Sequence, residues 1–134
     1  MRPILITFAL LIASLPAAAE PPSPETLYHY RAVIKEVIDG NRVAADIDLG
    51  FSVWRHGQRF KLARIDAPAP SGVTQAAGEA AKDFLKNLIE GKQVLIHSIV
   101  DSQQEGRYLV DIWLDDANVN DLLVAAGHAV EAHD

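Results

Sequence analysis

A two-residue alternation directly after a turn is the feature that most constrains the fold of this chain. Between residues 42 and 49 apolar side chains recur at every second position, at Val43, Ala45, Ile47 and Leu49. Because side chains alternate across a strand, this spacing predicts one buried and one solvated face. Residues 28–38 are rich in aromatic and β-branched side chains, and the residues that follow them tolerate positive φ: Asp39, Gly40 and Asn41. The two segments therefore predict a β-hairpin.

Three further strands and two helices are predicted in the rest of the chain. The strands span residues 59–65, 94–100 and 107–114, and residues 54–57 are predicted to be a connection. Residues 74–90 form a predicted helix that ends at Gly91, with an apolar stripe of Ala77, Ala80, Ala81, Phe84, Leu85, Leu88 and Ile89. A short second helix is expected from Asn120, as its N-cap, to a stop at Gly127. This order favours an α+β fold, a five-stranded Greek-key barrel with two helices.

The first 19 residues have the layout of a secretory signal peptide. Arg2 precedes an apolar run over residues 4–12, and Pro16 leads to small residues at Ala17, Ala18 and Ala19. The run is shorter than the roughly 20 residues that span a bilayer, so no stable membrane span is expected after cleavage, and an uncleaved anchor is the alternative. Residues 20–26 form a proline-rich spacer, and the folded domain is predicted to occupy residues 27–134. The predicted location is periplasmic or extracellular.

Charge and cysteine content exclude several classes of function. The formal net charge is −6, and removal of Arg2 with the signal peptide changes it to −7. An acidic surface argues against general electrostatic binding of nucleic acid, although a local basic patch can still hold one strand. The sequence has no cysteine, which excludes disulfides, thiolate metal sites and a cysteine nucleophile. The fold must therefore be held by core burial.

Five pieces of the sequence, in a fixed order, carry a resemblance to a known family. They are VIDGNRV at residues 37–43, FKLARIDAPA at residues 60–69, the helix at residues 74–90, EGRYL at residues 105–109 and VNDLLVAAGHA at residues 119–129. Together they resemble the staphylococcal nuclease (thermonuclease) family over nearly all of residues 28–130. The resemblance implies an OB barrel. It also implies phosphodiester hydrolysis by a water that a glutamate activates, with Ca²⁺ held by two aspartates and two arginines stabilising the phosphorane-like charge.

The residues that this resemblance assigns to the active site only partly suit that chemistry. Six positions of this chain align with functional positions of the family. Asn41 and Arg42 align with the family's second acid and the threonine after it, and Lys61 aligns with its first arginine. Asp66, Ala69 and Arg107 align with the remaining acid, the general-base glutamate and the second arginine. Only Asp66 and Arg107 match in identity, and Lys61 matches in charge. Ca²⁺ takes six to eight oxygen ligands, several of them anionic. The resemblance therefore implies site residues Lys61, Asp66 and Arg107, and at most a weak metal site at Asp66 and Asn41.

The leading hypothesis is a thermonuclease-like OB-fold protein that is exported and inactive, or severely impaired, as a phosphodiester hydrolase. If Arg42, Lys61, Arg107 and Asp66 converge, their charges sum to about +2, and repulsion of a divalent ion is on the order of several kcal/mol at an effective dielectric of about 20. We therefore predict no cofactor. A pocket for phosphate or another anion is the expected remnant, with nucleic acid or another phosphate-bearing ligand as the partner.

Two alternatives remain open on the sequence alone. The first is an active divalent-metal nuclease that recruits Asp39, Asp46 or Asp48, with Ca²⁺ as cofactor if the family activity survives. Asp46 and Asp48 lie on the predicted solvated face of their strand, so solvation is the simpler role for them. The second is a non-enzymatic OB-fold binding module whose protein partner is unknown.

Structural roles compete with functional ones at several residues. Asp66 precedes a proline turn, so a turn or capping role is the alternative to a role in the active site. Asp39 is predicted to have a turn role. Arg107 is predicted to face the former phosphate site. The histidines have no metal-like spacing, so zinc is not predicted at His29, His56, His97, His128 or His133. Trp54 and Trp113 are expected to pack on the barrel or its rim.

Overall fold

The structure is a computed structural model that describes residues 2–7, 9–12, 14 and 19–133. Within the predicted signal peptide, Pro16, Ala17 and Ala18 lie outside the described residues. None of the helices in the described ranges has the length and apolar character needed to cross a membrane. The predicted spacer contains a 3-10 turn at Pro24–Thr26, and the first strand begins at His29.

Eight strands and two helices follow one another in the described part of the chain. The strands are β1 (His29–Asp39), β2 (Arg42–Asp48), β3 (Trp54–Leu62), β4 (Ile65–Asp66), β5 (Gln93–Val100), β6 (Tyr108–Leu114), β7 (Ala117–Asn118) and β8 (Val130–Glu131). The helices are α1 (Gln75–Ile89), between β4 and β5, and α2 (Val119–Ala125), between β7 and β8. The large sheet has the order β3-β2-β1-β5-β6-β7.

A pairing between β3 and β6 closes the large sheet into a five-stranded barrel of β1, β2, β3, β5 and β6. These two strands run parallel and pair Lys61 with Leu109 and Leu62 with Val110, whereas the other neighbours are antiparallel. The short strands β4 and β8 form a separate antiparallel pair. The α+β class and the five-stranded barrel with two helices, both predicted from the sequence, are confirmed.

The barrel interior, one edge of α1 and part of α2 form one apolar core. Its large, fully buried side chains include Ile34, Leu62, Ile65, Leu85, Ile89, Ile96, Ile112 and Leu123. The buried positions of α1 are Gly78, Ala81, Leu85 and Ile89. Ala77 and Ala80, which were expected in the stripe, are exposed, because only a narrow edge of α1 faces the barrel.

The third strand differs from the prediction at both ends. β3 begins at Trp54 and not at residue 59, because Trp54 and Arg55 pair with Asp48 and Ile47 of β2. Within this irregular stretch, Gly57 adopts a φ of +67° and donates its amide hydrogen to Asp46 Oδ1 at 2.9 Å. β3 ends at Leu62 and not at residue 65. Arg64 adopts a φ of +66°, so the chain turns and continues as the separate strand β4.

The second helix is capped by Asn118, and the prediction that Asn120 is its N-cap is wrong. Asn118 Oδ1 accepts a hydrogen bond from the amide of Asp121 at 3.0 Å. Asn120 is fully buried within α2, and its side chain bonds three backbone groups: the carbonyl oxygens of Ala63 and Val110, each at 2.9 Å, and the amide of Ile112 at 3.1 Å. Buried backbone groups beside the β3–β6 junction need partners, and this amide supplies them.

Candidate functional site

The β1–β2 turn, the end of β3 and the start of β6 meet on one side of the barrel. Arg42 and Lys61 lie directly opposite each other on β2 and β3. The parallel register of β3 with β6 pairs Lys61 with Leu109 and so brings Arg107 to the same side. Arg42, Lys61 and Arg107 are thus neighbours in space, and a fourth of the six positions implied by the family resemblance, Asp66, contacts Lys61.

These elements line an open groove, which we call the basic groove. Its lining consists of Ile38, Arg42, Gln58, Arg59, Phe60, Lys61, Gln104, Glu105, Gly106 and Arg107. Arg59 also lines this groove, although the sequence analysis did not predict it as a site residue. The one indication in the sequence was its position two residues before Lys61, which places both side chains on the same face of a strand. Asp66 lines a neighbouring pocket with Thr74 and His128. Neither pocket is lined by Asn41 or Ala69.

Arg42 and Lys61 each have a carboxylate partner. Arg42 Nη2 lies 2.6 Å from Asp39 Oδ2, and Lys61 Nζ lies 3.2 Å from Asp66 Oδ1. Like charges directly opposite each other across two strands are destabilising, and these two carboxylates offset that repulsion. Asp39 also has the predicted turn role, since its Oδ1 accepts a hydrogen bond from the amide of Asn41 at 3.1 Å.

Arg107 is held by Asp101, a buried residue that sequence reasoning missed. Arg107 Nε contacts Asp101 Oδ2, and Asp101 Oδ1 accepts a hydrogen bond from the amide of Gln103 at 2.8 Å. The amide of Gln103, followed by the Arg107 guanidinium, holds the pKa of Asp101 below its usual value. A detectable signal was present, because an aspartate at the start of a polar loop commonly accepts a hydrogen bond from the amide two residues later.

The formal charge around the basic groove is zero once all partners are counted. Its four positive groups are Arg42, Arg59, Lys61 and Arg107. Its four negative groups are Glu105 in the lining and, as ion-pair partners, Asp39, Asp66 and Asp101. The expected sum of +2 therefore describes only part of the groove, because the sequence did not indicate Asp39 and Asp101 as partners.

The acids considered as relocated metal ligands have separate structural roles. Asp46 Oδ2 lies 3.1 Å from His56 Nδ1, and Asp48 Oδ1 accepts the amide hydrogen of Gly50 at 2.9 Å. The amide of Gly57 and then His56 hold the pKa of Asp46 below its usual value, and its side chain is only 19% exposed, less solvated than predicted. In the described residues, no group of three or more His, Asp or Glu side chains is arranged to hold a metal ion.

The segment that carries Asp66 and Ala69 is fixed against α1. A Cβ atom at Gly78 would lie 2.3 Å from the carbonyl carbon of Ala69, so glycine alone allows this approach. Thr74 Oγ1 donates a hydrogen bond to the carbonyl oxygen of Ala69 at 2.8 Å. Ala69, which the resemblance aligns with the family's general base, is exposed and has no carboxylate.

Both tryptophans lie on the outside of the barrel rather than in its core. Trp54 is 45% exposed and stacks on His56, with ring centroids 6.5 Å apart. The ring of Trp113 lies 6.1 Å from that of His29. The rings of His29 and His97 stack with their centroids 4.4 Å apart, a contact that the spacing of the two residues along the chain did not predict.

The barrel order, the helix between β4 and β5, and the groove at the end of β3 define an OB-type α+β domain. A family model described as staphylococcal nuclease homologue matches residues 59–134, more than half of the chain, and the chain belongs to this family. No curated protein gives a significant match. The matched range includes Lys61, Asp66, Ala69 and Arg107, and it begins after the turn that carries Asn41.

Proposed function

We propose that this protein binds a phosphate-bearing ligand, with single-stranded nucleic acid as the favoured source, in the basic groove and has lost most or all hydrolytic activity. The observation that carries the proposal is the convergence of Arg42, Arg59, Lys61 and Arg107 on one groove. Asparagine and alanine occupy positions 41 and 69, where the family chemistry calls for carboxylates. Membership of the staphylococcal nuclease family favours nucleic acid as the source of phosphate.

Cations that are already paired retain the capacity to bind phosphate. A guanidinium presents five N–H donors in a fixed fork, and one carboxylate uses only part of them. The side chains of Arg42 and Arg107 are 57% and 37% exposed, so both heads are within reach of a ligand. Arg59 lines the same groove and makes no ion pair among the described residues. We therefore expect Arg59 to contribute the largest share of phosphate binding.

Hydrolysis lacks two of its required groups. Ala69 has no oxygen to activate a water, and loss of a general base removes about two to four orders of magnitude in rate. Asn41 is neutral and weakens any Ca²⁺ site, which needs anionic oxygens. At the remaining acid, Lys61 Nζ lies 3.2 Å from Asp66 Oδ1 and competes with a divalent ion for that carboxylate.

Fluorescence anisotropy of a labelled single-stranded DNA, measured in excess chelator, tests binding. We expect Arg59→Ala and Lys61→Ala each to weaken binding and to lower the slope of log affinity against log salt by about 0.7, the share of one phosphate contact on a single strand. Arg31→Ala is the matched control, because Arg31 is exposed on β1 and lies outside the groove. Equal affinities for the parent and all three variants would contradict the assignment of the groove.

A cleavage assay on the same DNA in Ca²⁺ tests the loss of hydrolysis separately. We expect the parent to release no more product than Asp66→Ala does. Cleavage by the parent that Asp66→Ala abolishes would identify a working nuclease, and it would overturn this half of the proposal while leaving the binding data intact.

We also propose that the protein is exported. The support is Arg2, the apolar run over residues 4–12 and the small residues at 17–19. Mass spectrometry of the protein from the periplasmic or extracellular fraction is the test, and cleavage after Ala19 leaves a chain that begins at Glu20. Recovery of the uncleaved chain in the membrane fraction would favour the anchor instead.

A further inference from the structure

One end of the barrel interior forms a small pocket, which we call the end pocket. Its walls include three aromatic and three polar side chains, those of Tyr30, Phe60, Tyr108, Arg55, Gln58 and Ser98. The pocket has a volume of about 170 Å³. Pockets that take drug-sized ligands are larger, at roughly 300–1,000 Å³, so this one suits a single planar ring system.

The end pocket arises because the side chains that face the barrel interior change from apolar to polar towards this end. On β3, Phe60 is buried, whereas Gln58 on the same face is half-buried. On β5, Ile96 is buried, whereas Ser98 on the same face is half-buried. Neither polar side chain extends the core, so the space between the strands stays open and has both apolar and polar walls.

The polar groups of the end pocket have unused hydrogen-bonding capacity. Gln58 Nε2 donates to the carbonyl oxygen of Arg59 at 3.0 Å, which leaves Gln58 Oε1 as an acceptor. Among the described residues, the hydroxyl groups of Tyr30, Ser98 and Tyr108 have no hydrogen-bond partner. Because a hydroxyl group both donates and accepts, the pocket offers donors and acceptors to the edge of a ring that lies between its aromatic walls.

The end pocket is continuous with the basic groove. Gln58 and Phe60 line both of them. Among the described strands, β3 pairs with β6 only at Lys61 and Leu62, so residues 54–60 of β3 have no strand beside them on that side. The barrel wall is therefore open between the first part of β3 and the β5–β6 loop, and the cations of the groove lie beside this opening.

We propose that the end pocket binds one base of the strand whose phosphates lie in the basic groove, an inference that rests on the proposed function. A nucleotide carries its planar base and its charged phosphate on different sides of the sugar, so the base can enter the barrel while the phosphate stays at the cations. Every base has π faces that stack on aromatic rings, here those of Tyr30 and Tyr108. Every base also has edge groups that hydrogen-bond, here with Gln58 and Ser98.

Two labelled single strands of equal length and charge separate base binding from phosphate binding. One is a thymidine oligomer, and the other carries abasic sites throughout. Fluorescence anisotropy in excess chelator measures the affinity of the full chain for each. We expect the parent to bind the thymidine strand at least about fivefold more tightly, the lower limit for stacking of one base on aromatic side chains.

Two variants alter the end pocket without touching a cation. Tyr108→Leu removes an aromatic wall, and Ser98→Leu fills the pocket with a larger side chain. Each should reduce the preference for the thymidine strand to below about twofold and leave the affinity for the abasic strand unchanged. Tyr28→Leu is the matched control, because Tyr28 is 63% exposed and lines neither the end pocket nor the basic groove. It should keep the preference of the parent.

Equal affinity of the parent for both strands would overturn the end pocket as a base site and leave the phosphate groove intact. Failure to bind either strand would overturn both proposals. A preference that Tyr108→Leu and Ser98→Leu both retain would show that bases are held elsewhere, and it would overturn this inference alone.

Circular dichroism checks that the variants fold. Should both unfold, photocrosslinking of the parent to a strand that contains 5-iodouracil decides, with the crosslinked residue assigned by tandem mass spectrometry. A crosslink at Tyr30 or Tyr108 supports the end pocket, and the absence of a crosslink at both residues refutes it.

Discussion

Two asparagines of the same helix show how contacts distant in the chain assign a residue its role. Asn118 and Asn120 both suit a helix start by residue type. Asn118 caps α2, whereas Asn120 is 0% exposed, and its side chain links α2 to backbone groups of the β3–β4 connection and of β6. A buried amide with all its partners is worth more to the fold than a half-buried cap, because unsatisfied buried backbone groups are costly.

Asn120→Ala should therefore destabilise the protein far more than Asn118→Ala. The change leaves two carbonyl oxygens and one amide without their partner, and we expect a loss of about 3–5 kcal/mol in the free energy of unfolding. For Asn118→Ala, loss of the cap costs about 1 kcal/mol. Urea denaturation followed by circular dichroism measures both, and equal losses would show that Asn120 acts only as a surface residue of the helix.

Asp101→Asn should reduce the free energy of unfolding at neutral pH and change how that free energy varies with pH. The folded pKa of Asp101 is below its ordinary value of 3.8, so its contribution is complete above that value and is lost as the pH falls through the lower folded pKa. The difference in unfolding free energy between parent and variant should shrink as the pH falls from about 5 towards and below that folded pKa. Asparagine can still accept the Gln103 amide, so the change isolates the charge.

The control for Asp101→Asn is Asp83→Asn, which makes the same charge change at an exposed position of α1. Urea denaturation from pH 7 down to acid compares the two variants with the parent. A pH profile of Asp101→Asn that stays parallel to the parent profile throughout would contradict the assigned role of Asp101.

At the scale of elements, glycine contacts bring α1 against the β1–β2 turn and against the segment that follows β4. A Cβ atom at Gly40 would lie 2.7 Å from the Cβ of Ala81, and one at Gly78 would lie 2.3 Å from the backbone of Ala69. The stripe pattern of α1 indicated a helix and a buried face but not how closely it packs. The distance between two backbones depends on which elements meet, and that information is absent from the period of a single helix.

Gly78→Ala should destabilise the protein although alanine favours helices. Helix propensity alone would add about 1 kcal/mol of stability. The new Cβ would meet backbone atoms of Ala69 and Pro70 at 2.3–2.4 Å, and backbone cannot move aside cheaply, so we expect a net loss of about 1–3 kcal/mol. Ala80→Gly, at an exposed site of the same helix, should lose about 1 kcal/mol from propensity alone. A stabilised Gly78→Ala variant in thermal unfolding would rule out the close packing.

The strands show which local sequence patterns are sufficient to predict where a strand begins and ends. β2 and β6 were predicted nearly to the residue from the alternation of their apolar side chains. Burial itself does not alternate strictly, because Ala44 in β2 and Leu109 and Asp111 in β6 are buried together with their neighbours. The start of β3 was missed since residues 54–57 are exposed and include Gly57, so no buried face imposes a period there. This part of β3 is held by backbone pairing of Trp54 with Asp48 and of Arg55 with Ile47, and by the Gly57 amide, which donates to Asp46 Oδ1.

At the scale of the whole molecule, closure of the barrel assembles the basic groove. The parallel pairing of β3 with β6 brings Arg107 beside Lys61. Each of these cations also has a carboxylate partner nearby in the chain, Asp66 for Lys61 and Asp101 for Arg107. The groove therefore combines exposed donors with a formal charge of zero, a combination that the acidic composition of the chain did not indicate.

Restoring the family's acids should create at most a weak Ca²⁺ site unless Arg42 is also removed. Arg42 occupies the Asp39 carboxylate at 2.6 Å and places a cation next to position 41. We expect no Ca²⁺-dependent rise in melting temperature for the parent, and a small rise for the triple variant with Asn41→Asp, Lys61→Arg and Ala69→Glu. Adding Arg42→Thr should give the largest rise, since Ca²⁺ at about 100 times its Kd adds about 2.7 kcal/mol of stability.

Differential scanning fluorimetry in Ca²⁺ and in chelator makes this comparison on all three proteins. The chelator samples control for the stability changes caused by the substitutions themselves. If Ca²⁺ raises the melting temperature of the parent as much as that of the quadruple variant, the parent already holds a metal site and the inference from Asn41 and Ala69 is wrong.

The sequence by itself determined the α+β class, the barrel and the family, because periodicity, turn residues and motif order can be read directly along the chain. The partners of the site residues were decided in three dimensions. Asn120 at the β3–β6 junction and His29 against His97 depend on the pairing of segments that are distant in the chain. Asp101 beside Arg107 depends on the conformation of the β5–β6 loop. The period of one strand carries no information about either, because it describes only how that strand's own side chains alternate.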